Sequence, residues 1–287
     1  MSTLTERAET ASGYRAGHTL PLRVELVRQL KRRRTLVMGA VLAALPFVLL
    51  IAFEIGGDPG GRNGQVTLMD TATASGANFA AVNLFVSAGF LLVIPVALFC
   101  GDTVASEAGW SSLRYLLAAP VPRARLLWSK LTVGLGTSLA AMVLLPVVAL
   151  AAGTAAYGWG PLQIPTGGAL DPGTAARRLA VAVAYVFVSQ LVTAGLAFWL
   201  STRTDAPLGA VGGAVGLTIV GNVLDAVTAL GHWRDFLPAH WQFAWADAFQ
   251  PHPEWSGMIQ GTAISVTYAL VLVALAFRGF GRKDVVS

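Results

Sequence analysis

The ionisable residues of this chain crowd into a few short stretches. In the stretch from Gly101 to Lys130, GDTVASEAGWSSLRYLLAAPVPRARLLWSK, the residues Asp102, Glu107, Arg114, Arg123, Arg125 and Lys130 stand between two long apolar runs. Carboxylates followed by hydroxyls and cations can form charge-assisted hydrogen bonds with a partner surface. They do not assemble a bond-breaking site. Neither HExxH nor GxSxG occurs, and no histidine falls in an apolar run, which argues against a membrane protease or serine hydrolase. The three lysines follow Leu30, Ser129 and Arg282, so the chain has no Gly-Lys-Ser/Thr phosphate loop. Cys100 is the single cysteine, which excludes an intrachain disulfide and a cysteine metal cluster. His232, His240 and His252 match no zinc-ligand spacing, so no metal site is expected.

Two further polar sets sit inside apolar runs. Thr218, Asn222 and Asp225 share one helix face, and Ser189, Gln190 and Thr193 form a weaker patch. Polar groups in a membrane span face the protein interior or water, so these six residues are the candidate substrate pathway. Asp225 lies close enough to its span's end that exposure to water explains it equally well.

The elements that must position these residues are membrane helices. The 287 residues are 55% hydrophobic and 12% charged, with a mean hydropathy of +0.63, against about a quarter charged in an ordinary soluble domain. A hydrocarbon core of about 30 Å needs about 20 helical residues. Six runs qualify: 35–53, 79–100, 131–156, 179–201, 208–230 and 259–277. They are apolar on every face, which fits α-helices and not alternating barrel strands. The fold class is therefore an all-α polytopic membrane protein, with 35–278 as its six-helix transmembrane domain. Pro46, Pro95 and Pro146 lie inside the first three spans, where they favour kinks.

Lys and Arg set the orientation. Sixteen of the 20 fall in the N-terminal segment, the second and fourth loops and the C-terminus, which places both termini in the cytoplasm. This flank chemistry explains the net charge of +5, so nucleic acid is not an expected partner, whereas membrane lipids are. The first apolar run starts late and has no cleavage site soon after it, so it reads as a retained span.

Residues 1–19 and 279–287 read as cytoplasmic tails, and 1–19 as a mobile one. Between them, 20–34 forms an amphipathic interfacial helix, with Leu22, Leu26, Val27 and Leu30 at helical spacing and Arg23, Glu25, Arg28 and Lys31 elsewhere. Arg32, Arg33 and Arg34 then anchor the first span against headgroups. The first two outer loops read as turn-rich and poorly packed. The third holds Trp233, Trp241, Trp245 and Trp255 among prolines and reads as an interfacial or re-entrant segment of short helices. Gly209 with Gly213, and Gly212 with Gly216, form two small-xxx-small pairs, a seam for close helix packing or dimerisation.

In the opening stretch, Asp102 and Thr103 can cap a helix over 102–118 that Pro120 and Pro122 terminate. Trp110, Leu113, Leu116 and Leu117 form one face, and Glu107, Ser111 and Arg114 the other. The helix is expected to lie along the membrane with its polar face toward the cytosol.

This segment resembles the cytoplasmic signature of ABC-2 type permeases, membrane subunits of drug, antibiotic and natural-product exporters. Glu107 falls on the family's acidic position, Leu113 to Leu117 on its Leu-rich stretch, Pro120 on its proline, and Arg123, Arg125 and Lys130 on its basic positions. Ser111 and Ser112 replace a Gly-Thr pair, which keeps a hydroxyl and loses the glycine. The amphipathic N-terminal helix, six spans and long last outer segment extend the likeness to the whole chain. The resemblance implies a non-enzymatic permease that exports an amphipathic or hydrophobic compound. It also implies a second permease copy or a related one, and a cytosolic ATP-binding cassette ATPase that holds the ATP and Mg, no cofactor being bound by this chain. The loop helix becomes a coupling helix, with Asp102, Glu107, Trp110, Ser111, Ser112, Leu113, Arg114, Leu117, Pro120 and Arg123 as its contact residues. A non-transporting scaffold or sensor subunit and an ion-coupled secondary transporter are the alternatives.

Overall fold

The computed structural model describes residues 21–56, 67–109, 122–165 and 167–282. A short helix, α1 (Leu22–Leu30), turns at Lys31 and Arg32 into α2 (Arg33–Gly56). The expected interfacial helix is thus nine residues long, and Arg33 and Arg34 already belong to the first span. At 24 residues, α2 is about 36 Å long, enough to cross the hydrocarbon core.

The second span is bent. Helices α3 (Gly76–Ala88) and α4 (Val93–Gly109) meet at 53° across a break of a few residues. Pro95 accounts for the break, because it has no N–H to offer the carbonyl of Leu91 and its ring crowds that oxygen. The Leu91 carbonyl instead accepts from Ile94 N at 3.3 Å, and Leu92 N reaches back to Ser87 O at 2.9 Å. Pro46 and Pro146, by contrast, lie within uninterrupted helices.

Helix α5 (Arg123–Tyr157) begins eight residues before the expected span, so its basic residues form its first turns. A two-stranded hairpin follows, β1 (Leu162–Gln163) against β2 (Ala169–Leu170). Gly167 and Gly168 turn it with φ of 96° and 93°, a region that L side chains avoid. The expectation of a poorly packed loop fails here. Leu162, Ile164 and Leu170 are buried, and Asn78 on α3 binds both backbone groups of Gln163, at 2.8 and 2.9 Å.

The remaining spans are α6 (Pro172–Ser189) continued by α7 (Leu191–Arg203), then α8 (Pro207–Ala226) and α9 (Ser256–Gly281). Asp171 caps α6 by accepting from Thr174 N at 2.9 Å. The Thr174 hydroxyl, and after it that backbone bond, hold the Asp171 carboxyl below its ordinary pKa. Between α8 and α9, three 3₁₀ helices (Thr228–Phe236, Pro238–Trp241 and Ala244–Phe249) form the Trp-rich segment. Trp245 is fully buried against Phe85 and Phe249, while Trp233 is exposed. Among the described residues, five helices are long and apolar enough to cross a membrane, or six with the bent pair counted as one span.

Helix α4 is the centre of the bundle, packed on α5, α7 and α8. Gly134 permits the crossing with α5: a Cβ there would lie 3.0 Å from the Phe99 carbonyl oxygen.

Candidate functional site

Four elements converge at the end of the bundle where α4 stops and α5 starts. Lys130 on α5 is fully buried, with Nζ 2.7 Å from Glu107 Oε1 on α4 and 3.1 Å from Glu25 Oε1 on α1. Arg28 joins the same two carboxylates at 3.1 and 3.3 Å. One turn and a half earlier on α4, Asp102 accepts from Arg32 at 2.5 Å and from Arg34 at 2.7 Å. A buried charge without a partner costs several kcal/mol or more, so the buried Glu25, Asp102, Glu107 and Lys130 require their partners.

The spacing on each helix makes this possible. Asp102 and Glu107 are five residues apart, about 140° around α4, so one faces the start of α2 and the other faces α1 and α5. On α1, Glu25 and Gln29 form the buried strip, while Leu22, Val24, Leu26, Val27 and Leu30 are exposed. The helix presents its polar face to the protein and its apolar face to the surroundings, as a membrane-surface helix should. The end of α4 is also tied to α7, where Ser201 Oγ accepts from Val104 N and Ala105 N at 3.1 and 2.9 Å.

These contacts correct the sequence reading. Asp102 does not start a helix: it lies inside α4, which runs unbroken to Gly109. Glu107 does not face outward, because pairing with buried Lys130 outweighs its place on an amphipathic pattern. Arg32 and Arg34, expected as headgroup anchors, both engage Asp102, and Lys130 engages Glu25 and Glu107. Arg123 opens α5 and donates to the Gly281 carbonyl at 3.1 Å. Trp110, Ser111, Ser112, Leu113, Arg114, Leu117 and Pro120 lie outside the described residues. The partners of Glu107 were missed, although a signal existed. A lysine entering an apolar run needs an acid, and Glu25 is the sole acidic residue among the cations of 20–34.

The other polar set comes together toward the opposite end. Ser189, Gln190, Thr193, Thr218 and Asn222 line a cavity of about 110 Å³, roofed by Pro238, Ala239 and Gln242 of the Trp-rich segment. Gln190 and Asn222 also serve the bent span. Their side-chain amides donate to the carbonyls of Ala88 and Gly89, at 3.3 and 3.5 Å, where the helix ladder is interrupted. Asp225 does not line the cavity. It instead ties down the roof, 2.7 Å from His240 Nδ1 and 3.3 Å from Arg234 Nε.

The glycines split. A Cβ on Gly213 would meet Leu200 Cδ1 of α7 at 3.0 Å, and one on Gly209 would meet only Ala206 and Thr204, just ahead of its own helix. At Gly212 and Gly216 a Cβ would meet nothing within 4 Å. The four residues therefore do not share a single seam within the chain.

A family model described as ABC-2 family transporter protein matches residues 22–202, from the first residue of α1 almost to the end of α7. The chain belongs to the ABC-2 transporter family. The comparison with curated proteins finds no match. An ABC-2 permease is the membrane subunit of an ABC transporter, and the family implies a partnership with a separate ATP-binding cassette ATPase. The matched region contains both helices that flank residues 110–121 and every member of the buried ion cluster.

Proposed function

We propose that this ABC-2 permease exports an amphipathic or hydrophobic compound, driven by ATP and Mg on a cytosolic ATPase that seats against residues 110–121. Both termini are cytoplasmic in this reading, and a second permease copy completes the transporter. The observation that carries it is the buried cluster of Glu25, Glu107 and Lys130. It locks the last turn of α4 and the first turns of α5 to α1, on either side of the segment the ATPase would push.

A push on residues 110–121 reaches α4 and α5 as one body. Helix α4 packs on α7 and α8, which carry half the cavity wall, so the motion has a path to the candidate pathway. Ligand sites for drug-sized molecules measure about 300–1,000 Å³, so a cavity of about 110 Å³ corresponds to a closed pathway. Opening it requires the roof at Pro238–Trp241 to leave α8, which means parting Asp225 from His240 and Arg234. The outward-facing Gly212 and Gly216 offer the second copy a close approach on α8.

The test is ATP turnover and ATP-dependent uptake into inverted vesicles, with the permease co-expressed with its ATPase. Arg114→Glu is expected to keep assembly and lose stimulation of the ATPase, and Glu107→Gln, which strands the buried Lys130, is expected to lower the melting temperature as well as the stimulation. Full stimulation and transport in both variants would refute the coupling role. Stable assembly without transport by the unaltered chain would instead mark a scaffold.

A further inference from the structure

Helices α5 and α6 are antiparallel neighbours, yet an apolar groove of about 350 Å³ separates them. Leu139, Val143 and Leu150 line it from α5, and Ala176, Ala180 and Ala184 line it from α6. The alanines recur every four residues and keep one stripe of α6 shallow, with the buried Leu179 and Val183 lining the groove beside them. Its length is informative. The helical distance from Leu139 to Leu150 is about 16 Å at about 1.5 Å per residue. That is about half of a 30 Å hydrocarbon core, the depth of one leaflet.

The mouth of the groove opens toward the ends of α5 and α6 that the hairpin joins. Leu150 is two turns from the end of α5, where exposed Trp159 follows, and Ala176 is in the second turn of α6. Two arginines stand beside it. Arg178 is engaged by the backbone carbonyls of Ala248 and Gln250. Arg177 is exposed, donates to the neutral Thr174 hydroxyl at 3.0 Å, and has Asp171 within electrostatic reach. Arg177, Ala180 and Ala184 follow one another at spacings of three and four, so the cation continues the line of the groove toward the headgroups.

We propose that this groove holds one acyl chain of an anionic glycerophospholipid whose headgroup sits on Arg177. The apolar lining and one-leaflet length select a hydrocarbon chain, and the cation at the mouth selects negative charge. The lipid is a resident wedge between α5 and α6, not cargo, and its binding does not depend on the export reading.

The test uses the full chain in nanodiscs of equal phosphatidylglycerol and phosphatidylcholine, with retained lipid counted by native mass spectrometry after release. The unaltered protein is expected to retain phosphatidylglycerol several-fold over phosphatidylcholine. Arg177→Gln should abolish the preference and Arg177→Lys should keep it, while Ala180→Trp, which fills the groove, should abolish retention. Val143→Trp fills it from the other wall if Ala180→Trp does not fold. Val223→Trp, on the exposed face of α8, should change nothing. Equal retention of the two lipids by the unaltered protein, or a preference that survives both Arg177→Gln and a groove-filling tryptophan, would overturn the proposal.

Discussion

Lys130 Nζ lies 2.7 Å from Glu107 Oε1, and neither side chain has more than a few per cent of its surface exposed. This pair joins the end of α4 to the start of α5, the two helices between which residues 110–121 fall in the chain, and Glu25 adds α1 to the same contact. Removing one member of a buried pair strands the other and costs about 3–5 kcal/mol, whereas replacing both by apolar groups can be nearly neutral. Lys130→Met and Glu107→Leu should therefore each lower the melting temperature sharply in detergent, and the double variant should recover much of the loss. Additive losses in the double variant would show that the two residues do not act as a pair.

The two arginines on Asp102 should not be equivalent. Arg32 has 14% of its side chain exposed and Arg34 has 51%. Exposed pairs are worth about 0–1 kcal/mol, because water screens them and the side chain loses freedom, so Arg32→Gln should destabilise clearly more than Arg34→Gln. Thermal melts of the two single variants decide it, and equal shifts would mean that burial does not set the strength of these contacts.

Much of this architecture was legible because membrane helices announce themselves by length and uniform hydrophobicity. Five of the six candidate pathway residues were found to share a cavity for the same reason, since a polar side chain in a span must turn inward. What sequence could not resolve was the division of labour among charges. Glu107 fits the polar face of an amphipathic pattern, and only the proximity of Lys130 and Glu25, far apart along the chain, gives it a buried partner. The hairpin after α5 escaped notice because its burial depends on Asn78, 85 residues away from Gln163.

The Asp171 cap gives a pH dependence whose sign is fixed. Thr174 holds the Asp171 pKa below its ordinary value, so the carboxylate is favoured in the folded state. Its stabilising effect is present above the unfolded pKa, near 3.9, and is lost as pH falls through the lowered folded value. Asp171→Asn keeps an oxygen acceptor for the Thr174 N–H and removes the titration. Amide exchange at the start of α6 should therefore quicken at acid pH in the unaltered chain more than in Asp171→Asn. A matched acid response in the two proteins would exclude the cap as its source.

Gln190 serves the break in the second span as well as the cavity. Its amide donates to the Ala88 carbonyl at 3.3 Å, and the weaker contact from Asn222 to Gly89 is 3.5 Å. An orphaned buried carbonyl costs about 1–3 kcal/mol, so Gln190→Leu should destabilise the chain and raise amide exchange around residues 88–92, with Asn222→Leu having a smaller effect. The break exists because Pro95 cannot donate to Leu91. Pro95→Ala restores a donor and lets α3 and α4 approach a continuous helix, in which the Ala88 carbonyl can find a backbone partner. The cost of Gln190→Leu should thus fall in the Pro95→Ala background. If it stays the same, Gln190 is held by the cavity alone, and the bent span does not depend on it.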